Sequence, residues 1–172
     1  MSALVVVESM WGNTRTVADA VALGLGEEVD VFDVQNAPPE LPDDVGLLVV
    51  GGPTHAFSMS RSKTRHDAVQ RGARGANESQ GIREWLKHLR PSDHVEVATF
   101  DTRVAKVKRL PGSAAKAAGK EVRRHHLGRL IGTQSFYVDD LEGPILEGEL
   151  DRAQKWGKQL RSIASTTERN VG

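Results

Sequence analysis

Apolar and polar positions follow two rhythms along this chain. Ala3 to Glu8 is a short, almost wholly apolar run, the pattern of a parallel strand buried on both faces. Ser9-Met10-Trp11-Gly12-Asn13-Thr14 breaks it. From Thr14 onward apolar residues fall at Val17, Ala18, Val21 and Leu25, a helical period that stops at Gly24 and Gly26. Val29 to Asp33 alternates and predicts an edge strand with one wet face. After Pro38, Pro39 and Pro42, the run Val45 to Val50 predicts a central strand that ends in a Gly-rich turn, Gly51-Gly52-Pro53-Thr54-His55. Ile82, Trp85, Leu86 and Leu89 mark a helix stripe, and Val95 to Phe100 the next strand, with Asp101-Thr102-Arg103 as the polar loop that ends it. Pro111-Gly112-Ser113 introduces a helix with a small-residue face (Ala114, Ala117, Ala118, Val122), and a fifth strand lies within Arg129 to Val138. Leu146, Leu150, Ala153, Leu160 and Ile163 give the last helix its stripe, with Trp156 at its margin. The expected organisation is a single domain over 1–166 and a frayed tail over 167–172.

Five strands alternating with helices predict an α/β fold, a doubly wound five-stranded parallel sheet with helices on both faces; right-handed crossovers leave few topologies, of which the strand order 2-1-3-4-5 is the one expected here. Ligands in such sheets bind outside the carboxyl ends of the strands, here where the loops Ser9 to Thr14, Gly52 to Arg61 and Thr99 to Arg103 would meet. The first of these loops carries the plainest chemistry. It sets the free N–H groups of a helix N-terminus at the end of a strand, where the helix dipole favours an anion. Ser9, Asn13 and Thr14 add short polar side chains, and Gly12 removes a Cβ where backbone must approach a ligand. The loop can therefore cradle a phosphate; an ordinary turn capped by Asn13 or Thr14 is the competing reading.

Composition narrows the ligand. The 172 residues are 38% hydrophobic and 27% charged, as expected of a globular protein, and Lys plus Arg and Asp plus Glu are 23 each, which gives no support to nucleic acid as a partner. Without cysteine there is no disulfide, thiolate metal site or cysteine nucleophile. The first strand begins within three residues of Met1 and no apolar run reaches membrane-spanning length, so a cytoplasmic location away from membranes is expected. No metal site is expected, because His66, His88, His94, His125 and His126 have no ligand spacing.

Over nearly its whole length the chain resembles the flavodoxin-like family. Ser9-x-Trp11-Gly12-Asn13-Thr14 matches the family's hydroxyl-x-Thr-Gly-x-Thr phosphate loop, and Gly51-Gly52-Pro53-Thr54-His55-Ala56-Phe57-Ser58-Met59 is similar to the second flavin loop, particularly that of flavodoxin-like NAD(P)H:quinone reductases. Thr99-Phe100-Asp101-Thr102 takes the place of the third loop. The resemblance implies noncovalent FMN, with its phosphate on Ser9, Met10, Trp11, Gly12, Asn13 and Thr14. Its ring would lie between Pro53, Thr54, His55, Ala56 and Phe57 on one side and Thr99 to Thr102 on the other. It also implies a role in electron transfer.

Three departures from that pattern stand out. Trp11 replaces a hydroxyl residue, which removes a hydrogen bond on the order of 1 kcal/mol. The third loop has no Tyr to stack on the ring, leaving Phe57, Trp11 and His55 as flat neighbours, and Ser58 stands near where many flavodoxins have Gly. His55 is the one catalytic candidate, either a proton donor or a loop-ordering group.

Charge is segregated: Arg61, Lys63, Arg65, Arg71 and Arg74 crowd the segment from Ser58 to Gln80, Arg103 to Arg124 carries eight basic residues, and Asp139 to Asp151 has six acids and no base. A positive ligand-side field from Arg61, Lys63, Arg65, Arg103, Lys106 and Lys108 would favour an acidic redox partner protein or a small anionic or quinone substrate. An electron carrier, an FMN-dependent NAD(P)H:quinone-type oxidoreductase and a binding domain that has lost FMN are the functional alternatives. A response-regulator module is disfavoured, since Glu8-Ser9-Met10 and Gly51-Gly52-Pro53 stand where it needs carboxylates.

Overall fold

Runs that are apolar at every position need cover on both faces, and the fold supplies it. The computed structural model describes residues 2–171, with side chains as far as 166. Strands β1 (Ser2–Val7), β2 (Val29–Asp33), β3 (Val45–Pro53), β4 (Glu96–Val104) and β5 (Arg129–Val138) form one parallel sheet in the order β2-β1-β3-β4-β5. Helices α1 (Asn13–Leu25), α2 (Ser62–Gln70), α3 (Ile82–His88), α4 (Ala114–Arg124) and α5 (Glu149–Val171) connect and follow them. Side chains alternate along β1: Leu4 and Val6 join a core with Trp85 and Leu86 of α3 and Ala118 and Val122 of α4, whereas Ala3, Val5 and Val7 join Val17 and Val21 of α1 and Trp156 and Leu160 of α5.

Helices α1 and α5 pack backbone to backbone. A Cβ on Gly24 would lie 2.0 Å from the Gln154 carbonyl oxygen, and one on Gly157 would lie 2.2 Å from that of Val21. Trp156 is therefore not marginal. It is buried among Phe100 and Phe136, with ring centroids 6.2 and 5.9 Å away, while Leu150 and Ile163, expected on the stripe, are 39% and 44% exposed. Helix α5 is traced to Val171; the side chains of the tail expected over 167–172 lie outside the described residues.

Two expected loops are strands. Gly51-Gly52-Pro53 completes β3 because the Phe100 ring fills the place of a side chain on Gly51: a Cβ there would sit 2.0 Å from the ring. Strand β4 likewise runs through Asp101-Thr102-Arg103 to Val104 before a 3₁₀ turn, Ala105–Val107. The segment from Ser58 to Gln80, which reads in the sequence as an unusually long connection between a strand and a helix, contains α2. Among the described residues no helix is long and apolar enough to cross a membrane.

Candidate functional site

The turn from β1 into α1 has the geometry its sequence asks for. Gly12 caps the helix at φ +92°, a left-handed conformation that glycine adopts without strain. Ser9 Oγ accepts from the Arg15 N–H at 3.2 Å, folding the loop back over the first turn. The opening N–H groups of α1 have no partner within the helix, and the Asn13 side-chain nitrogen Nδ2 is buried with no acceptor among the described residues. Thr14 takes another role: its hydroxyl pairs with that of Thr102 on β4 at 2.8 Å, pinning the helix to the sheet.

The second loop is tight and strained. His55 and Ser58 exchange both backbone hydrogen bonds, at 2.9 and 3.0 Å, across a two-residue turn in which Ala56 and Phe57 hold φ of 46° and 62°. Left-handed residues with side chains cost on the order of 1–2 kcal/mol each. The turn holds Phe57 out, 47% exposed, against the loop between β4 and α4, where a Cβ on Gly112 would lie 2.6 Å from the Phe57 carbonyl oxygen. Thr54 is occupied structurally, its hydroxyl accepting from the Ala114 N–H at 2.9 Å. Burial lowers the pKa of His55 below the ordinary 6.5, so its imidazole is neutral at neutral pH.

The third group of candidates is buried inside β4 and is not a loop. Thr99 Oγ1 donates to the Ala115 carbonyl at 3.0 Å, Asp101 Oδ2 accepts from the Ala115 N–H at 2.8 Å, and Phe100 packs edge-on against Phe136. These groups fix the start of α4, and with Thr102 they lie beneath the site. The exposed third loop is instead 105–113, with Lys106, Lys108 and Arg109 at the surface. Arg103 and Arg65, expected in the surface field, are 5% and 0% exposed.

Arg65 belongs to a buried network that the sequence did not announce. It donates to Ser60 Oγ at 2.8 Å and to the Glu78 carbonyl, and pairs with Glu84 at 3.2 Å. Ser60 in turn donates to Glu8 Oε1, whose Oε2 accepts from the Ile82 N–H at 3.0 Å. Burial holds the Glu8 carboxyl above the usual carboxylate range, against the hydrogen bonds from Ser60 and Ile82 and the charge of Arg65, which pull it down. The network fastens α2 and α3 to the residue just before the phosphate loop. Its signal was present: Glu8 closes an apolar strand, where a charge needs a partner.

Space is distributed unevenly. Between Asn13, Thr14, Thr54, His55, Thr102 and Leu141 there is a cavity of only about 20 Å³, enough for one water. Beyond Trp11, His55 and Leu141 a cleft of about 170 Å³ opens toward Arg71 and Glu142. A groove of about 600 Å³ lies on the other side of the first loop, beside β2. The residues present fit a phosphate group: the α1 N-terminus, the left-handed Gly12 and the unpartnered Asn13 amide make its seat. Leu141 and the turn at Gly143, where a Cβ would lie 2.9 Å from Asn13 Oδ1, narrow the space beside that seat.

No family model matches the chain, and no curated protein matches it. Its backbone is similar to solved structures. A flavodoxin from the domain Archaea superposes with a TM-score of 0.63 at 15% identity, over 96% of this chain and 99% of that one. Oxidised flavodoxin 2 from Bacillus cereus gives 0.64 at 14% identity over 95% and 99%. A diflavin flavoprotein A3 from Nostoc sp. gives 0.56 at 16% identity over 99% and 98%. At these identities the likeness establishes the fold, and the fold is flavodoxin-like.

Proposed function

We propose that this chain binds FMN at the carboxyl edge of β1 and β3 and acts in electron transfer. The observation that carries the reading is the start of α1, where a left-handed glycine caps a helix N-terminus that no side chain caps, beside a buried Asn13 amide nitrogen with no acceptor among the described residues. FMN, when bound, supplies the redox chemistry. The chain's residues hold and shield it: the first turn of α1 binds the phosphate, Trp11 and His55 flank the cleft, and the strained turn at Ala56 and Phe57 presents an aromatic edge. Neutral His55 can donate or accept a hydrogen bond there without adding charge. The solved flavodoxins of the same fold support the reading.

The exposed Arg61, Lys63, Lys106 and Lys108 favour an acidic redox protein or an anionic substrate, and with the latter the protein would be an NAD(P)H:quinone-type oxidoreductase. The narrow cavity beside Thr14 favours a different second reading, a flavodoxin-like domain that has lost FMN. One experiment separates the three. Protein mixed with FMN is expected to give a shifted flavin spectrum and quenched fluorescence, and the loaded protein is then offered NADH or NADPH with a quinone. Turnover marks an enzyme, and electron exchange only with a separate reductase marks a carrier. Absence of binding at high micromolar FMN refutes the proposal.

A further inference from the structure

A spacious groove lies apart from the cleft that the proposed flavin would use. The groove of about 600 Å³ beside β2 is divided from the flavin cleft by Trp11, which lines both. Its walls are the first loop, the turn after β2 and the turn after α2, and these walls are tied together. The Gly75 N–H donates to the Met10 carbonyl at 3.2 Å, and Gln35 Nε2 donates to the Gly75 carbonyl at 3.2 Å. Only glycine permits that closure, since a Cβ on residue 75 would lie 2.2 Å from the Ser9 carbonyl oxygen. A space framed by hydrogen-bonded loops is preorganised, and this one is within the range of about 300–1,000 Å³ usual for small-molecule sites.

The polar groups around it have unused capacity. Asp33 ends β2, and Arg15 holds its Oδ1 at 3.2 Å, while its Oδ2 accepts no hydrogen bond among the described residues. Arg74 lines the groove, exposed and without an acidic partner among the described residues. A carboxylate at the end of the second strand of a doubly wound sheet suits vicinal ribose hydroxyls, a guanidinium without an acidic partner suits a phosphate, and Trp11 supplies an aromatic wall for a base. We propose that this groove binds an adenine nucleoside phosphate with a free ribose 2′-hydroxyl, the ribose on Asp33 and the phosphate on Arg74. Such a seat would take the adenosine half of an unphosphorylated pyridine dinucleotide beside the proposed flavin. Binding of the nucleotide itself does not require the flavin.

Isothermal titration with ADP, on protein with and without FMN, tests the site. One ADP per chain is expected, unaffected by FMN, with at least about tenfold weaker binding after Arg74→Glu or Asp33→Asn, both checked for an unchanged fold by circular dichroism. ADP carrying a 2′-phosphate is expected to bind more weakly, because the added charge meets Asp33. No binding at millimolar ADP, binding indifferent to both substitutions, or equal competition by inorganic phosphate overturns the proposal. Displacement of ADP by FMN also overturns it, because the two would then share one seat. Should FMN fail to bind at all, the flavin reading falls, while the ADP titration of the flavin-free protein still decides the groove.

Discussion

Arg65 shows how one residue can govern a site that it does not touch. Its guanidinium is fully buried, joined to Ser60, the Glu78 carbonyl and Glu84, with Glu8 one hydrogen bond further on. Removing one partner of a buried ionic cluster leaves charge uncompensated, at a cost of about 3–5 kcal/mol. Arg65→Met is therefore expected to destabilise the fold by roughly 3 kcal/mol or more in urea denaturation; a loss below about 1 kcal/mol would show that the network does not hold α2 and α3 in place. In the sequence Arg65 is one more base in a basic segment, indistinguishable from the exposed Arg61 and Lys63. Phe57 was legible as an aromatic in a ligand-side loop. The left-handed turn that exposes it was not, because neither Ala56 nor Phe57 is a residue that announces positive φ.

At the level of elements, the sequence is most readable where burial is two-sided. The apolar runs of β1 and β3 and the helical stripes of α1, α3 and α4 each mirror a packed face. Helix α2 was hidden because only Arg65 and Ala68 of its residues are buried, so it has a polar anchor in place of an apolar stripe. The end of β4 was hidden for a related reason. Asp101 and Thr102 read as loop residues, yet Asp101 Oδ2 accepts from the start of α4 and the Thr102 hydroxyl pairs with Thr14, so both remain inside the sheet, with Asp101 Oδ1 left buried and unpartnered among the described residues. The close contact of α1 with α5 gives the prediction at this scale. A side chain at residue 157 has no room, so Gly157→Val is expected to cost on the order of 2–3 kcal/mol and, by shifting α1, to weaken FMN binding as well. Leu23→Ala, on the exposed side of α1, is expected to stay within about 0.5 kcal/mol, and thermal melts compare the two. Equal melting of the variants would contradict the packing argument.

For the whole molecule, the order β2-β1-β3-β4-β5 brings the start of α1, a strained aromatic turn and a basic loop to one edge of the sheet, and Leu141 and Glu142 of the acidic turn after β5 line a cleft with Trp11 and His55 there. The doubly wound class followed from the alternation of elements, which left few strand orders open, and the position of the first loop followed from its residues. What did not follow was the distribution of space, because cavity volume depends on where Leu141 and the turn at Gly143 lie, and no local pattern encodes that placement. The central claim is that the start of α1 binds a phosphate, and the most direct measurement is a paired titration of the protein with FMN and with riboflavin, repeated on Gly12→Val. The two ligands differ only in the phosphate. FMN is expected to bind at least about tenfold more tightly than riboflavin, and Gly12→Val is expected to erase that difference while circular dichroism shows the fold retained. Equal affinity for the two flavins, or a preference for FMN that survives Gly12→Val, would contradict the account.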